Sequence, residues 1–510
     1  MFKLHEIPEV CGSDLLRSGL YKATVNDHAC GVRVCRVSAM PFNTDRLPRQ
    51  RPWNQTEEAA FMTFSGEGEA HLRVESKNPF RKATVRPLVR EVETHVEGNS
   101  VEFALPKPGQ YVLELDSEHH ALHIFYDPVK EYPEKASATY SFGPGLHILP
   151  GILDLKDNDS VYIDPGAVVY GSIRGINVQN IKVFGGGILD AGNQERIFWN
   201  DCVRWAAQCA VHLVGCENVE IRDIVILNSP TWVVGVFGCE KVLIDWIKIV
   251  GQWRYNTDGI DLVNSRDVIV QNCFIRSFDD SICIKGLDWA FKGYGNWQWK
   301  TGKKCENIRV SGCVAWCGWG RTLEIGIETD ASEYRNILYE DCDLIHNSCV
   351  AIDIANGYGT SIHDVTYRDI RVEFQADTQP EILQVAEDQH YEFDSGAGNV
   401  CATSFWLSEN QRHSETGKRK QPPVLFLSHN RHYLPQETPW GENYDILLEK
   451  IRVFAEPGVG KPEVKMMSAS PKPGLRSHTI RNLTINGQKI RTLQEIEYTS
   501  EGNAEALVIE

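Results

Sequence analysis

From Val219 onward the chain repeats one short pattern. Val219-Glu220-Ile221-Arg222 alternates apolar and polar residues, turns at Asp223, and resumes in the apolar run Ile224-Val225-Ile226. The pattern restarts at Val242, Val268, Ile308, Ile337 and Val365, at intervals of 23, 26, 40, 29 and 28 residues. Alternation with period two puts every second side chain on one face. A polar corner followed by a second short strand, recurring at this period, predicts an all-β parallel β-helix in which each coil buries its apolar face by stacking on the next. Leucine-rich repeats have a similar period but show recurrent Leu and a helical stretch per repeat, and neither is present. The 40-residue interval predicts an inserted loop projecting from one face. Weaker coils precede the series (Val161-Tyr162-Ile163, Ile181-Lys182-Val183-Phe184) and follow it (446–451, 480–485).

Residues before about 140 have another texture. Strands such as Val32–Val37, Ala70–Val74, Val101–Leu105, Tyr111–Leu115 and Leu122–Phe125 alternate without a fixed period, with turn signals such as Pro106-Lys107-Pro108-Gly109 between them. This predicts a β-sandwich. Pro144-Gly145 and Pro150-Gly151 mark the entry to the solenoid, giving an N-terminal sandwich at 1–143 and a β-helix domain at 144–510. Residues of about 376–440 break the repeat and read as a long insertion. The segment 51–57 is dense in side chains able to bind sugar; the competing reading is an ordered loop packing the two domains together.

Within the repeats, Asn256-Thr257-Asp258-Gly259 is followed by Asp279-Asp280, twenty-one positions on from Asp258. Taken alone, Asp-Gly or Asp-Asp reads as a turn. Each here leads into a β-run, Ile260-Asp261-Leu262 or Ile282-Cys283-Ile284, on neighbouring coils ~4.8 Å apart. Carboxylates so stacked can face one groove, which is the equipment for acid/base hydrolysis of a glycosidic bond. The same alternation turns Asp261, Cys283, Glu324 and Asp353 outward as an acidic ladder, either lining the groove or forming an ordinary solvated face.

With a net charge of −17, the 510-residue chain is a poor partner for nucleic acid, which selects basic surfaces. No apolar run approaches the ~20 residues that cross a bilayer, and the N-terminus lacks the continuous apolar segment of a secretory signal, so a cytoplasmic protein without membrane contact is expected. Of fifteen cysteines, Cys273, Cys313 and Cys342 fall at equivalent coil positions, which predicts a column of buried thiols rather than a disulfide framework. Cys313 and Cys317 have no second pair at ligand spacing, so no metal or other cofactor is expected. The oligomeric state is not legible.

Trp289, Phe291, Tyr294, Trp297 and Trp299 crowd the inserted loop, and Trp232, Trp253, Tyr255, Trp316 and Trp319 occur at coil corners. Flat rings with polar edges, led by Trp297 and Trp299, predict a platform for sugar; packing of the loop on the solenoid is the alternative.

Asn256-Thr257-Asp258-Gly259, Asp279-Asp280-Ser281-Ile282 and Gly318-Trp319-Gly320-Arg321-Thr322-Leu323-Glu324-Ile325-Gly326 resemble, in order and spacing, the signatures of family 28 glycoside hydrolases, the polygalacturonases. The chain also resembles family 49, which includes dextranases and has a β-sandwich before its β-helix. The resemblance covers about 145–375. It implies a right-handed parallel β-helix and hydrolysis with inversion, with Asp279 as general acid and Asp258 and Asp280 together activating water. Arg321 stands where the family has His, and an arginine is always charged and cannot shuttle protons. One coil later, Asp353 and Ala355 stand where the family's carboxylate clamp has Arg and Lys. The expectation is therefore a neutral oligo- or polysaccharide substrate, with Asn256, Arg321, Glu324, Asp353, Trp297 and Trp299 as substrate-binding residues. The rivals are a pectin-type hydrolase or uronate lyase, and a non-catalytic carbohydrate-binding solenoid.

Overall fold

The computed structural model describes residues 2–5, 7–9, 16–38, 56–194, 209–254, 256–288, 304–376, 423–430 and 439–510. From Tyr140 onward the chain is a right-handed parallel β-helix. One face is a twelve-stranded sheet running from Tyr140–Phe142 to Val508–Ile509. A second, 21-stranded sheet winds through the other two faces. A single coil reads Glu240–Asp245, Lys248–Ile249 and Ile260–Val263 before the next begins at Arg266–Gln271.

The sequence repeat becomes columns. Val219, Val242, Val268, Ile308, Ile337, Val365 and Ile446 pair in register from coil to coil, and all are buried. At the corner after this face, Asp223, Trp246, Asn272, Gly312, Asp341 and Asp369 adopt left-handed backbone angles of 52 to 70°. Asn, Asp and Gly visit that region at the least cost, so the recurrent polar corner is what turns each coil. Cys273, Cys313 and Cys342 stack in the core as expected, as thiols outside any disulfide.

Before the solenoid, two sheets face one another. One is built on Thr56–Gly66, flanked by Ser117–Pro128 and Val32–Ser38; the other orders His28–Cys30, Tyr21–Val25, Ala70–Ser76, Ser100–Leu105 and Thr94–Glu97. Strand Thr56–Gly66 is apolar on both sides for a reason visible in its alternation. Ala60, Met62 and Phe64 enter the sandwich core, while Ala59 and Phe61 pack with Val225, Phe274, Val314 and Trp316 of the solenoid. The two domains are thus joined by a continuous apolar seam, each large side chain buried there contributing ~1.5–3 kcal/mol.

Two boundaries differ from expectation. Tyr140–Phe142 already pairs with Ser160–Ile163, so the ladder begins before residue 144. Within the expected insertion, Val424–Asn430 is a strand of the main sheet, lying between Val350–Asn356 and Glu463–Ser468. Its neighbours in sequence hid it, because the flanking residues carry no repeat. Trp316, grouped with the corner aromatics, lies instead in the seam, 1% exposed, with the Arg276 guanidinium 3.6 Å from its ring centre and His346 stacked at 4.0 Å.

Candidate active site

Three successive coils bring the motif residues together at one corner and the strand face that follows it. Gly259 N donates to Asp280 O at 2.8 Å, Ile260 N to Ser281 O at 2.9 Å, and Ser281 N to Arg321 O at 2.9 Å. These bonds stack Asp258, Asp279-Asp280 and Gly320-Arg321 directly above one another. Two glycines permit the approach. A Cβ on Gly259 would lie 2.3 Å from Ser281 O, and one on Gly320 would lie 2.2 Å from Asp280 Oδ1 and 2.6 Å from Asp279 Oδ1. The backbone at 320 is therefore the floor against which both carboxylates rest. Thr257 Oγ1 donates to Arg254 O at 2.6 Å, and Ser277 Oγ to Asp279 O at 2.6 Å, fixing the corners that carry the acids.

The outward ladder is present in register: Asp261 pairs with Cys283, Cys283 with Glu324, and Glu324 with Asp353. It is not a solvated face, since all four have no exposure. Nor do Glu324 and Asp353 present themselves to a ligand, as the sequence suggested. They sit behind Arg321, whose Nε lies 3.7 Å from Glu324 Oε1 and 3.5 Å from Asp353 Oδ2. Arg321 Nη1 reaches Asp280 Oδ1 at 3.4 Å and its backbone N donates to the same oxygen at 2.8 Å. Arg321 is thus occupied by three protein carboxylates. In the structure it serves as their counter-ion.

A second cation was missed. Lys285 follows Ile282-Cys283-Ile284 on the strand Ile282–Leu287, and with Ile282 and Ile284 in the core, alternation sends Cys283 and Lys285 to the acidic side. Its Nζ lies 3.3 Å from Asp258 Oδ2, 3.4 Å from Asp280 Oδ2, 3.5 Å from Glu328 Oε2 and 3.7 Å from Asp261 Oδ1. The signal was available: a lysine at an outward position beside a ladder of acids is its natural countercharge. Asp258, Asp280 and Cys283 offer ligand atoms within 4.8 Å of one another, the one such group among the described residues. The ammonium already bridges the two carboxylates of that group, so a divalent ion would have to displace it.

Seven carboxyl groups (Asp258, Asp261, Asp279, Asp280, Glu324, Glu328 and Asp353) surround two cations. Burial is the largest influence on each shifted acid, and it favours the protonated form. For Asp279, burial and then the charges of Asp258 and Asp280 hold the carboxyl well above its ordinary range. Burial, with Asp261 as the next cause, raises Asp258 well above it too. Asp261 and Glu324 are likewise raised by burial, and burial pushes Asp353 up to about 7. Asp280 goes the other way: burial would raise it, but Arg321 and Lys285 together hold it below the usual carboxylate range. Asp279 has no Lys, Arg or His nitrogen within 4.0 Å among the described residues, whereas Asp258 and Asp280 both have Lys285. Asp279 and Asp258 are thus both biased toward the protonated form, Asp258 beside Lys285 and Asp279 without a cation in reach, while Asp280 is the one of the three held toward the ionised form.

Asn256 adopts a left-handed φ of 57° at the rim, and its Oδ1, like Asp258 Oδ1, has no hydrogen-bond partner among the described residues. Both are buried acceptors rather than open ones. Trp297 and Trp299, with the rest of the inserted aromatic loop, Tyr255 and residues 51–55, lie outside the described residues. Of the corner aromatics, Trp232 and Trp319 are buried, stacked on Phe237 at 5.9 Å and Phe278 at 6.1 Å, so neither is an open platform.

Residues 161–399 match the family model described as glycosyl hydrolases family 28. An exopolygalacturonase of Oenothera organensis is 26% identical over 209 residues, covering 38% of this chain and 52% of that protein. An exopolygalacturonase of Cochliobolus carbonum is 31% identical over 116 residues, covering 21% of this chain and 25% of that protein. The chain thus spans between a quarter and about half of the length of these relatives. Among solved structures, Dex49A from Penicillium minioluteum aligns over 100% of this chain and 96% of its own, with a TM-score of 0.62 and 15% identity, a likeness of fold.

Proposed function

With the kinship of its solenoid to glycoside hydrolase family 28 as premise, we propose that this protein is a glycoside hydrolase that cleaves a neutral oligo- or polysaccharide with inversion at the anomeric carbon. The observation that carries the reading is the unequal sharing of two cations among three stacked carboxyls: Asp280 contacts both, which favours its charge, and Asp279 has neither within 4.0 Å among the described residues, which favours its proton. Asp279 gives its proton to the glycosidic oxygen as the bond from that oxygen to the anomeric carbon breaks. Asp280, with Asp258 beside it, takes a proton from a water that attacks the same carbon from the opposite side. The product anomer is inverted, and exchange with solvent restores the proton to Asp279.

The choice of a neutral sugar rests on charge. Lys285 and Arg321 are each engaged by protein carboxylates, so neither is set aside to neutralise the carboxylate of a uronate. The second reading, a pectin-type hydrolase, draws on the names of the two exopolygalacturonases above; it needs a cation left over for the substrate. Reducing-sugar release from a panel of neutral and uronic glycans separates the readings, with absorbance of an unsaturated product followed in parallel and the first-formed anomer read by proton NMR. Release from a neutral glycan with an inverted product is expected. Robust hydrolysis of polygalacturonate would overturn the neutral substrate, an unsaturated product would indicate elimination, and a retained anomer would overturn the roles of the three acids.

A further inference from the structure

We infer that Lys285 is a positioning residue for this reaction: its ammonium ties Asp258 and Asp280, which come from adjacent coils, into one unit that orients the attacking water. The inference rests on the functional reading above and deepens it. Lys285 is 4% exposed, and its three N–H donors are shared among four carboxylates at 3.3–3.7 Å. One side of the ammonium is closed by Trp232, whose ring centre lies 4.9 Å away; a ring face attracts a desolvated cation and keeps water from it. Trp232 in turn stacks on Phe237, so the clamp is built against a packed wall rather than suspended in solvent.

The groups facing the ammonium come from three coils. Asp258 and Asp261 lie on the coil before, Asp280 and Cys283 on its own coil, and Glu328 on the strand Arg321–Asp330 of the coil after, which also carries Arg321 and Glu324. Asp279 lies at the same corner, outside direct reach of the ammonium. Arg321 contacts Asp280, whereas Lys285 is the one cation within 4.0 Å of Asp258 among the described residues, so it is Lys285 that couples the two carboxylates proposed to act on water. Without it, Asp258 and Asp280 would lose the donor they share, and Asp258 its only cation within 4.0 Å among the described residues.

The test compares Lys285→Met and Lys285→Arg with the wild type on whichever neutral glycan the wild type cleaves. Removing an opposite charge at this distance moves a carboxyl by ~1–3 pH units, so in Lys285→Met the acidic limb of the kcat/KM profile should rise by that amount. kcat should fall ~10²-fold, on the scale of general acid–base contributions, with KM little changed. Lys285→Arg keeps the charge but not the compact three-donor reach, so its acidic limb should stay in place while kcat falls toward the ~10²-fold that a misplacement of about 1 Å can cost. A wild-type limb and kcat in Lys285→Met would overturn the inference, as would a wild-type kcat in Lys285→Arg if Lys285→Met does not fold. Should the wild type cleave nothing, the functional reading fails and the clamp is judged by melting. Lys285→Met should then lose Tm progressively from pH 5 to 8, with Asp280→Asn in the same chain restoring part of the loss. A loss independent of pH, or no restoration, would overturn the clamp.

Discussion

Two clusters of buried charge lie in this molecule, one at the acidic corner and one in the seam between the domains, and they are balanced differently. In the seam, Arg86 Nε donates to Glu114 Oε2 at 2.7 Å and Nη1 to Glu373, while His346 bonds Glu114 from the other side. Arg276 donates to His123 Nε2 at 3.1 Å, and His123 Nδ1 bonds Ala60 O at 2.7 Å. Burial opposes the charge of Glu114, yet Arg86 and His346 bring its carboxyl down to about 2; Glu373, where burial prevails, is pushed up to about 7. Cations and anions there are nearly matched in number. At the acidic corner seven carboxyls share two cations, and most are held in the protonated direction. Near balance joins the two domains; imbalance biases the corner acids toward the protonated form. Strongly shifted groups in a cleft are a mark of function, and the seam shows why the shift must be read with its partners.

The largest effect should come from breaking the balanced cluster. Arg86→Met leaves Glu114 and Glu373 buried without their shared cation, a change that costs ~3–5 kcal/mol in comparable buried pairs. Denaturant unfolding should show it, while turnover per folded molecule persists. A loss below about 1 kcal/mol would place the seam on the scale of surface ion pairs.

Next comes Gly320→Ala. Its Cβ would lie within 2.6 Å of both Asp279 and Asp280 carboxylate oxygens, and those acids must move. Misplacement by about 1 Å can cost ~10²-fold in rate, so kcat should drop on that scale with the fold retained. Unchanged kcat would show that the carboxylates have more freedom than the close backbone implies.

The smaller effects are in pH dependence, where Glu114 of the seam and Asp353 of the acidic corner should slope in opposite directions. Glu114 titrates lower in the folded chain than its ordinary value of 4.5, so its stabilisation is present above that value and lost as pH falls toward 2. Asp353, raised from 3.8 to about 7, gives its stability below 3.8 and loses it as pH rises through 7. In melting curves, Glu114→Gln should flatten the acid limb, and Asp353→Asn should flatten the decline toward neutrality. Equal slopes in wild type and Asp353→Asn would remove Asp353 from the unbalanced cluster.

Much of this was legible because a solenoid is periodic. The alternation in Ile282-Cys283-Ile284 and Leu323-Glu324-Ile325 gives the register, and the register stacks the acids. Asp258, Asp279 and Asp280 could be placed at one site by spacing alone. What spacing could not supply was depth. Glu324 and Asp353 occupy the outward column but lie behind Arg321, because a large cation drawn to three acids covers two of them. Lys285 went unread because a lone lysine on a strand is ordinarily a solvated residue, and only the stacked acids make it a counter-ion. Trp316 faces the sandwich because the neighbouring domain needs an apolar surface to rest on, and the repeat pattern does not show which face another domain covers. The strand Val424–Asn430 was hidden by its surroundings, since one coil separated by long segments has no period to betray it.

The most direct measurement is of one variant, Asp279→Asn, assayed for turnover on a neutral glycan and for Tm at neutral pH in the same preparation. Turnover should fall by ~10²–10⁴-fold, while Tm holds or rises, because a neutral amide replaces a carboxyl that the unbalanced cluster already keeps neutral. Retention of more than about a tenth of the activity, or a melting loss like that of Arg86→Met, would contradict the account and make Asp279 a structural acid rather than the proton donor.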